Sequence, residues 1–263
     1  EIWAIKVSDH PELDEAEAEV LFDGNHHARE IMTQELCLYL IRYLCENYDS
    51  DHLSKTLVDQ RQIYFVPIVN PDGFVYNESI APNGGGMWRK NRRPGHPCDG
   101  VDLNRNYPIG WGGTGSSGNG CDETYRGPSA ASEPETQAMI RFMNAHRFVT
   151  HDSIHSFMGA ILYPWGYTGT PPPDDELLWS IANERASENG YRVARIGVSG
   201  CTSDFAYGEE TTKPRIMSYL TEIGGSGFWP DPSEKEGLLR ENLHSMLHLA
   251  LVAGPSLGAV SSA

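Results

Sequence analysis

His27-Ala28-Arg29-Glu30 sets an imidazole and a carboxylate three positions apart, where a strand-like run ends and a helical run begins. Residues i and i+3 at such a junction can converge on one point, and His with Glu suits Zn²⁺. His26 competes with His27, because His26 and Glu30 face each other at i, i+4. A metal also needs a third ligand from elsewhere. His155, in Ser153-Ile154-His155-Ser156-Phe157 at the end of a predicted strand, is the leading candidate and His151 its competitor. Without a metal, both read as hydrogen-bonded strand-end histidines. A basic group follows in Trp88-Arg89-Lys90 and Asp102-Leu103-Asn104-Arg105-Asn106, where an Arg fork beside an Asn amide can grip a carboxylate. The alternative is a set of solvated arginines paired with some of the 36 acids. Thr221-Glu222-Ile223-Gly224-Gly225 places an acid at a strand end. Glu222 is a general base if that end shares a sheet edge with the metal and its water, and a surface carboxylate if not.

The elements that must position these residues are readable from periodicity and punctuation. Ile2 to Val7 and Glu19 to Phe22 read as strands, followed by a helix over Glu30 to Tyr48 with Leu36, Leu40, Tyr43 and Leu44 at helical spacing. Gln62 to Val69 is a buried-strand pattern stopped by Asn70-Pro71-Asp72-Gly73, which reads as a turn. From Val75 to Ser129 regular periodicity disappears, and a stretch this long is functional or carries short elements of its own. Ser132-Glu133-Pro134-Glu135 has a capping-box signature opening a helix to about His146. Phe148 to Ile154 and Ala160 to Tyr163 read as strands, Asp174 to Asn189 as a helix stopped at Gly190, and Tyr191 to Ile196 and Ile216 to Glu222 as strands. Ser233-Glu234-Lys235-Glu236 caps a last helix to about Ala253. Strands alternating with helices predict an α/β fold, with a mixed, mostly parallel sheet covered on both faces. Residues 1–253 form one domain, and 254–263 a frayed tail of small residues.

The composition fits one soluble globular domain: 263 residues, 39% hydrophobic and 21% charged. A formal net charge of −16 repels phosphate backbones, which argues against nucleic acid as a partner. No apolar run approaches the roughly 20 residues of a membrane-spanning helix. The opening Glu1-Ile2-Trp3 reads as a processed or truncated start. Five cysteines leave at least one unpaired. Cys37 and Cys45 lie about 12 Å apart along a helix, too far to bridge. Cys98 and Cys121 could close a loop, worth about 3 kcal/mol in an oxidising compartment, or stay as free thiols. Asn77-Glu78-Ser79 is a glycosylation sequon.

Taken in order, these segments resemble the M14 zinc carboxypeptidases, the family of pancreatic carboxypeptidases A and B and their bacterial and fungal relatives. Gly24-Asn25-His26-His27-Ala28-Arg29-Glu30 resembles the family's H-x-R-E metal segment, which selects His27 over His26. Asn70 to Gly73, Trp88 to Lys90, Gly100 to Asn106, Cys121 to Gly127, His155 to Phe157, Tyr163 to Gly166 and Ser203 to Gly208 follow in family order, so the resemblance runs to about residue 253. It implies one Zn²⁺ per chain on His27, Glu30 and His155, with one position open for water. It also implies Glu222 as general base, Arg89 as oxyanion stabiliser, Asn104 and Arg105 as the clamp for a terminal carboxylate, Arg29 as a secondary contact, and Asp102 as the acid that orients His27. The activity implied is removal of single residues from peptide or protein C-termini by a secreted monomer, and Cys98–Cys121 matches a disulfide of secreted members.

Two departures from the family pattern carry expectations. The helix and strand that usually precede the Ile2–Val7 segment are missing, which implies an exposed sheet edge. Ile196, in Arg195-Ile196-Gly197-Val198, stands where the family has a mobile tyrosine, so weaker substrate binding follows rather than inactivity. Ser203 matches the specificity determinant and carries no charge, which favours neutral or hydrophobic C-terminal residues. Two other functions fit less of the pattern. A zinc amidohydrolase would cleave N-acyl amino acids and not peptides, and a carboxypeptidase-like binding module would keep the fold without turnover.

Overall fold

Among the residues described by the computed structural model, 1–254 and Leu257, seven strands form one sheet in the order β1-β3-β2-β4-β7-β5-β6. The strands are β1 (Ile5–Val7), β2 (Ala18–Gly24), β3 (Arg61–Val66), β4 (Phe148–Ser156), β5 (Ala160–Tyr163), β6 (Arg192–Arg195) and β7 (Met217–Ile223). The pairs β2–β3, β2–β4, β4–β7 and β5–β6 are parallel, while β1–β3 and β5–β7 are antiparallel. The expected mixed, mostly parallel sheet is present. The short strand β1 pairs only with β3, so its outer edge is open among the described residues. The expected tail lies outside the described residues apart from Gly254 and Leu257.

The helices are α1 (Ile31–Asn47), α2 (His52–Gln60), α3 (Pro71–Ile80), α4 (Pro134–Ala145), α5 (Asp175–Asn189), α6 (Thr202–Gly208) and α7 (Lys235–Val252), with a 3₁₀ turn at Leu103–Arg105. In α1, Met32, Leu36, Leu40 and Leu44 fall on one stripe and are buried against the sheet. Each such leucine contributes roughly 1.5–3 kcal/mol. One core, which includes α1, α5 and α7, covers one face of the sheet around Val20, Phe22 and Ile154. A second covers the other face, with Leu103, Tyr107, Met139, Met143 and Phe205 over Leu21 and Val66.

Three helices depart from the sequence reading, and two more differ at their caps. Asn70-Pro71-Asp72-Gly73 opens α3 instead of closing a turn: the Asn70 Oδ1 accepts from the Gly73 N–H at 3.0 Å, and Pro71 occupies the first turn, where no amide donor is needed. A Cβ on Gly73 would stand 2.6 Å from the Lys90 carbonyl and 2.8 Å from the Ala28 Cβ, so only glycine lets α3 pack this close to the His27 loop. α2, capped by Asp51, and α6, buried on all sides, gave no separate periodic signal. At α4 the N-cap is Glu133, not Ser132, and the Ser132 hydroxyl donates to the Glu133 carboxylate. At α7 the cap position is Glu234, while Ser233 donates to Asp231.

Cys98 and Cys121 form a disulfide across 23 residues, with Cα atoms 5.0 Å apart, while Cys37, Cys45 and Cys201 are free. The closed loop contains Asp102, Asn104 and Arg105. Asn77 is buried in α3, donating to the Trp88 carbonyl and accepting from its N–H, both at 2.9 Å. Its amide is therefore closed to glycosylation in the folded chain.

Candidate functional site

The central strands β2, β4 and β7 run parallel, and their C-terminal ends form one sheet edge, the usual position of sites in such sheets. His27 follows β2, His155 lies near the end of β4, and Glu222 is its register partner on β7. Glu30 is the N-cap residue of α1. Its backbone carbonyl accepts from the Thr33 N–H at 3.2 Å and from the Thr33 hydroxyl at 2.7 Å, which fixes the residue at the helix start.

His27, Glu30 and His155 come together. The His27 Nδ1 stands 2.8 Å from the Glu30 Oε1, the His155 Nδ1 is 3.0 Å from the Glu30 Oε2, and the two Nδ1 atoms are 3.1 Å apart. Two imidazole nitrogens and a carboxylate aimed at one point, all buried, form a group that could hold a cation. His26 points away, with its Nε2 2.9 Å from the Tyr107 hydroxyl. His151 lies deeper on the same face of β4, tied to Asp23 at 2.7 Å and to Ser218 at 2.8 Å. The competing histidines are thus hydrogen-bonded elsewhere.

Burial alone would raise the Glu30 carboxyl, but His27 and His155 hold it below the usual carboxylate range. Burial lowers His155 to about 4, against the pull of Glu30, which leaves the imidazole neutral and fit for a metal. His27 turns its Nε2 to the Asp102 Oδ1 at 3.2 Å. The same oxygen accepts from the Asn104 N–H, and the Asp102 Oδ2 accepts from the Arg89 Nε and Nη2 at 3.1 and 2.8 Å. Burial would raise Asp102 as well, yet Arg89 and Arg105 hold it well below the ordinary range.

The cleft above these residues has a volume of about 490 Å³. Arg89, Asn104, Arg105 and Glu222 line it together with the three cation ligands, and Leu162, Ile196, Val198 and Leu220 give it an apolar wall. A larger hollow of about 720 Å³ lies beside the acidic segment Glu12 to Glu19, away from this constellation. The Glu222 Oε2 is buried and has no hydrogen-bond partner among the described residues. Burial and the nearby Glu30 push the Glu222 carboxyl up to about 8, opposed by Arg89 and Arg105.

Asn104 and Arg105 sit in the 3₁₀ turn. The Asn104 Oδ1 accepts from the Thr202 N–H at 2.9 Å, which orients its amide. The Arg105 Nε and Nη1 donate to the Gly115 and Asn104 carbonyls at 2.8 and 2.7 Å. A Cβ on Gly200, at φ +74°, would lie 2.5 Å from the Arg105 carbonyl oxygen, so this turn needs glycine beside it. Arg29 lies apart from the cleft lining, bonded to Glu123 at 3.2 Å and stacked 4.2 Å from the Phe228 ring. Ser203 is fully buried in α6, donates to the Tyr219 carbonyl at 3.0 Å and does not line the cleft. Its neighbour Asp204 accepts from the Gly166 and Tyr167 N–H groups.

The sequence reading missed the polar residues behind the site, chiefly Asp23 and Tyr107 on one face and Asp152 with Arg185 on the other. The period-two run His151, Ser153, His155 in a strand buried at every position marks the face that Asp23 joins, but no local pattern points to Asp23, Tyr107, Asp152 or Arg185 themselves.

A model of the family Peptidase_M14, zinc carboxypeptidase, matches residues 1–245. Human carboxypeptidase A5 is 34% identical over 224 residues, covering 80% of this chain and 50% of that protein. A zinc carboxypeptidase of Saccharothrix mutabilis subsp. capreolus is 34% identical over 250 residues, covering 88% of this chain and 56% of its own. The crystal structure of carboxypeptidase A from Helicoverpa armigera superposes with a TM-score of 0.82 at 28% identity, covering 99% of this chain and 65% of that one. The chain thus spans about half the length of the curated relatives it matches. With a family model matching almost end to end and the cation ligands, Glu222 and the basic residues gathered at one sheet edge, the chain belongs to the zinc carboxypeptidase family.

Proposed function

We propose that the chain is a metallocarboxypeptidase that removes the C-terminal residue from peptides, with a preference for neutral or hydrophobic side chains. The observation that carries this reading is the placement of a Glu222 carboxylate, its Oε2 without a hydrogen-bond partner among the described residues, at the strand end beside the His27–Glu30–His155 cluster, in a cleft that also holds Asn104 and Arg105. His27, Glu30 and His155 would hold Zn²⁺, which when bound acts as a Lewis acid and brings the pKa of water towards 7. With a cation held there, Glu222 would be drawn back towards its ionised form at neutral pH, and its carboxylate could take a proton from the attacking water. Glu222 then returns that proton to the leaving amine. Arg89, held on two nitrogens by Asp102, is fixed where it can stabilise the charge on the scissile carbonyl oxygen.

Asn104 and Arg105 give the site its polarity, because a fixed amide and a guanidinium select a charge that only a chain end carries. Ile196 offers no hydroxyl, so the terminal carboxylate relies on these two residues. Leu162, Ile196, Val198 and Leu220 favour an uncharged leaving side chain. Ser203 supports that wall from behind by holding the carbonyl of Tyr219, next to Leu220. The Cys98–Cys121 disulfide supports action in a secreted, oxidising setting. All the proposed site residues lie in one chain, which supports activity as a monomer.

N-blocked dipeptides ending in Phe, Leu, Lys or Arg, with a C-terminally amidated Phe control, test this reading. The expected profile is release of Phe and Leu with kcat/KM at least about tenfold above Lys and Arg, and no cleavage of the amide. Cleavage of the amide would contradict the exopeptidase reading, and equal release of all four residues would contradict the apolar-wall reading. Hydrolysis of N-acyl amino acids without any peptide cleavage would favour an amidohydrolase.

A further inference from the structure

The two histidines of the cation site are supported in different ways. His27 reaches the Asp102 carboxylate directly. His155 has two neighbours at its Nε2: the Ser153 Oγ at 3.2 Å and the Asn104 Nδ2 at 3.2 Å. The Asn104 amide is oriented by Thr202, whose N–H donates to the Asn104 Oδ1, so Asn104 presents a donor to His155. A cation on the His155 Nδ1 puts the ring proton on Nε2, and of these two neighbours only the Ser153 oxygen can accept it. The Ser153 hydroxyl in turn points at the Asp23 Oδ1, 2.9 Å away.

Asp23 is built to end such a chain. It is fully buried on β2, register-paired with Ser153 on β4, and on the same face of the sheet. Its Oδ2 is 2.7 Å from the His151 Nε2. The His26 Nδ1 lies 3.2 Å from Oδ1 without hydrogen-bond geometry. Burial alone would raise the Asp23 carboxyl, but His26 and His151 hold it below the usual range, so it remains an anion in a dry interior. An uncompensated buried carboxylate is costly, and the nearby histidines and hydroxyl keep it there.

We infer that Ser153 and Asp23 are positioning residues for the second metal histidine. The relay runs from the His155 Nε2–H to the Ser153 hydroxyl and on to the Asp23 carboxylate, fixing the tautomer that presents Nδ1 to the metal. It does for His155, through one hydroxyl, what Asp102 does for His27 directly. The tautomer also removes the Asn104 amide from His155, since two donors cannot face each other. Metal loading would thereby free the Asn104 N–H groups for a substrate carboxylate. This inference rests on the metal reading above.

The test compares wild type with Ser153→Ala, Ser153→Thr and Asp23→Asn by chelator competition for Zn²⁺, with melting of the metal-free proteins as a folding check. Loss of the relay is expected to weaken zinc binding about 10–100-fold in Ser153→Ala, with wild-type affinity restored in Ser153→Thr. In the zinc-loaded wild type, a proton on the His155 Nε2 should give a slowly exchanging downfield NMR signal that is absent in Ser153→Ala. Should Asp23→Asn fail to fold, Ser153→Ala decides the matter. Zinc affinity of Ser153→Ala within about twofold of wild type would overturn the relay while leaving the metal site standing. Weakened binding that Ser153→Thr does not restore would reduce Ser153 to a packing role and overturn it too. A wild-type chain that binds no zinc would remove the metal reading and the relay together.

Discussion

The two faces of strands β4 and β7 are both buried and both polar, and they use polarity in opposite ways. On one face Asp152 accepts from the Thr221 N–H at 3.0 Å, from the Thr221 hydroxyl at 2.7 Å and from the fully buried Arg185. Arg185 also donates to the Ser245 carbonyl at 3.1 Å and lies over the Tyr219 ring. The Asp152 carboxylate is closed off by protein. On the other face His151, Ser153 and His155 alternate towards the strand end, and their bonding runs out there. Cation-ligand atoms face one another, and the Glu222 Oε2 has no partner among the described residues. The Asp152 carboxylate has both oxygens filled by protein and serves the fold, even though the Arg185 Nη1 beside it has no partner among the described residues. Buried groups left incomplete at a cleft, by contrast, have capacity for a ligand.

The strongest way to break this contrast is at the open face. His155→Ala removes one of the cation ligands, so bound zinc and peptide turnover should both fall below detection while the fold persists. Elemental analysis, a C-terminal release assay and circular dichroism check the three parts. At the closed face the expected effect is on stability instead. Arg185→Met alone leaves Asp152 buried without its counter-ion and should cost about 3–5 kcal/mol, read by urea denaturation. Adding Asp152→Leu should recover much of that loss, while zinc affinity stays unchanged throughout. A change in zinc affinity there would show that the two faces are coupled.

Smaller effects sharpen the comparison. Replacing Cys98 and Cys121 by Ser should cost about 3 kcal/mol by the loop-entropy estimate, again by denaturation. Part of the cost should appear as a raised KM, because the loop carries Asn104 and Arg105. Asp204 is a third kind of buried acid, satisfied by two backbone amides but with no cation at hydrogen-bond distance among the described residues. Burial raises it to about 6 from an ordinary value of 3.8. Its folded pKa lies above its unfolded one, so its contribution to stability is fully present below pH 3.8 and is lost as pH rises through about 6. Asp204→Asn should remove that slope, gaining on wild type between pH 4 and pH 7 in denaturation series; parallel curves would contradict the assignment.

The site was more legible in the sequence than the elements around it. His27 and Glu30 stand close together at a strand–helix junction, and Glu222 ends an apolar strand, so residue type and position raised these candidates, and the ordered family motifs selected them over His26 and a surface carboxylate. α3 was read as a turn because Asn, Pro, Asp and Gly serve helix caps as well as turns, and local chemistry alone does not separate the two. α6 has no exposed face and therefore no amphipathic period. Asp23, Asp152 and Arg185 look like ordinary charged residues until the parallel register sets Asp23 beside Ser153 and α5 carries Arg185 onto β4. Those partners lie 33 to 130 positions apart in the chain, beyond the reach of any local pattern.

The most direct test of the central claim is zinc content measured together with C-terminal Phe release on the same preparations of wild type and Glu222→Gln. One zinc per chain in both proteins, with turnover in the variant reduced by about 10²-fold or more, is the predicted result. Zinc bound and peptide turnover retained in Glu222→Gln would contradict the assignment of Glu222 as the base. Zinc bound by a wild-type chain that releases no C-terminal residue would contradict the carboxypeptidase reading itself.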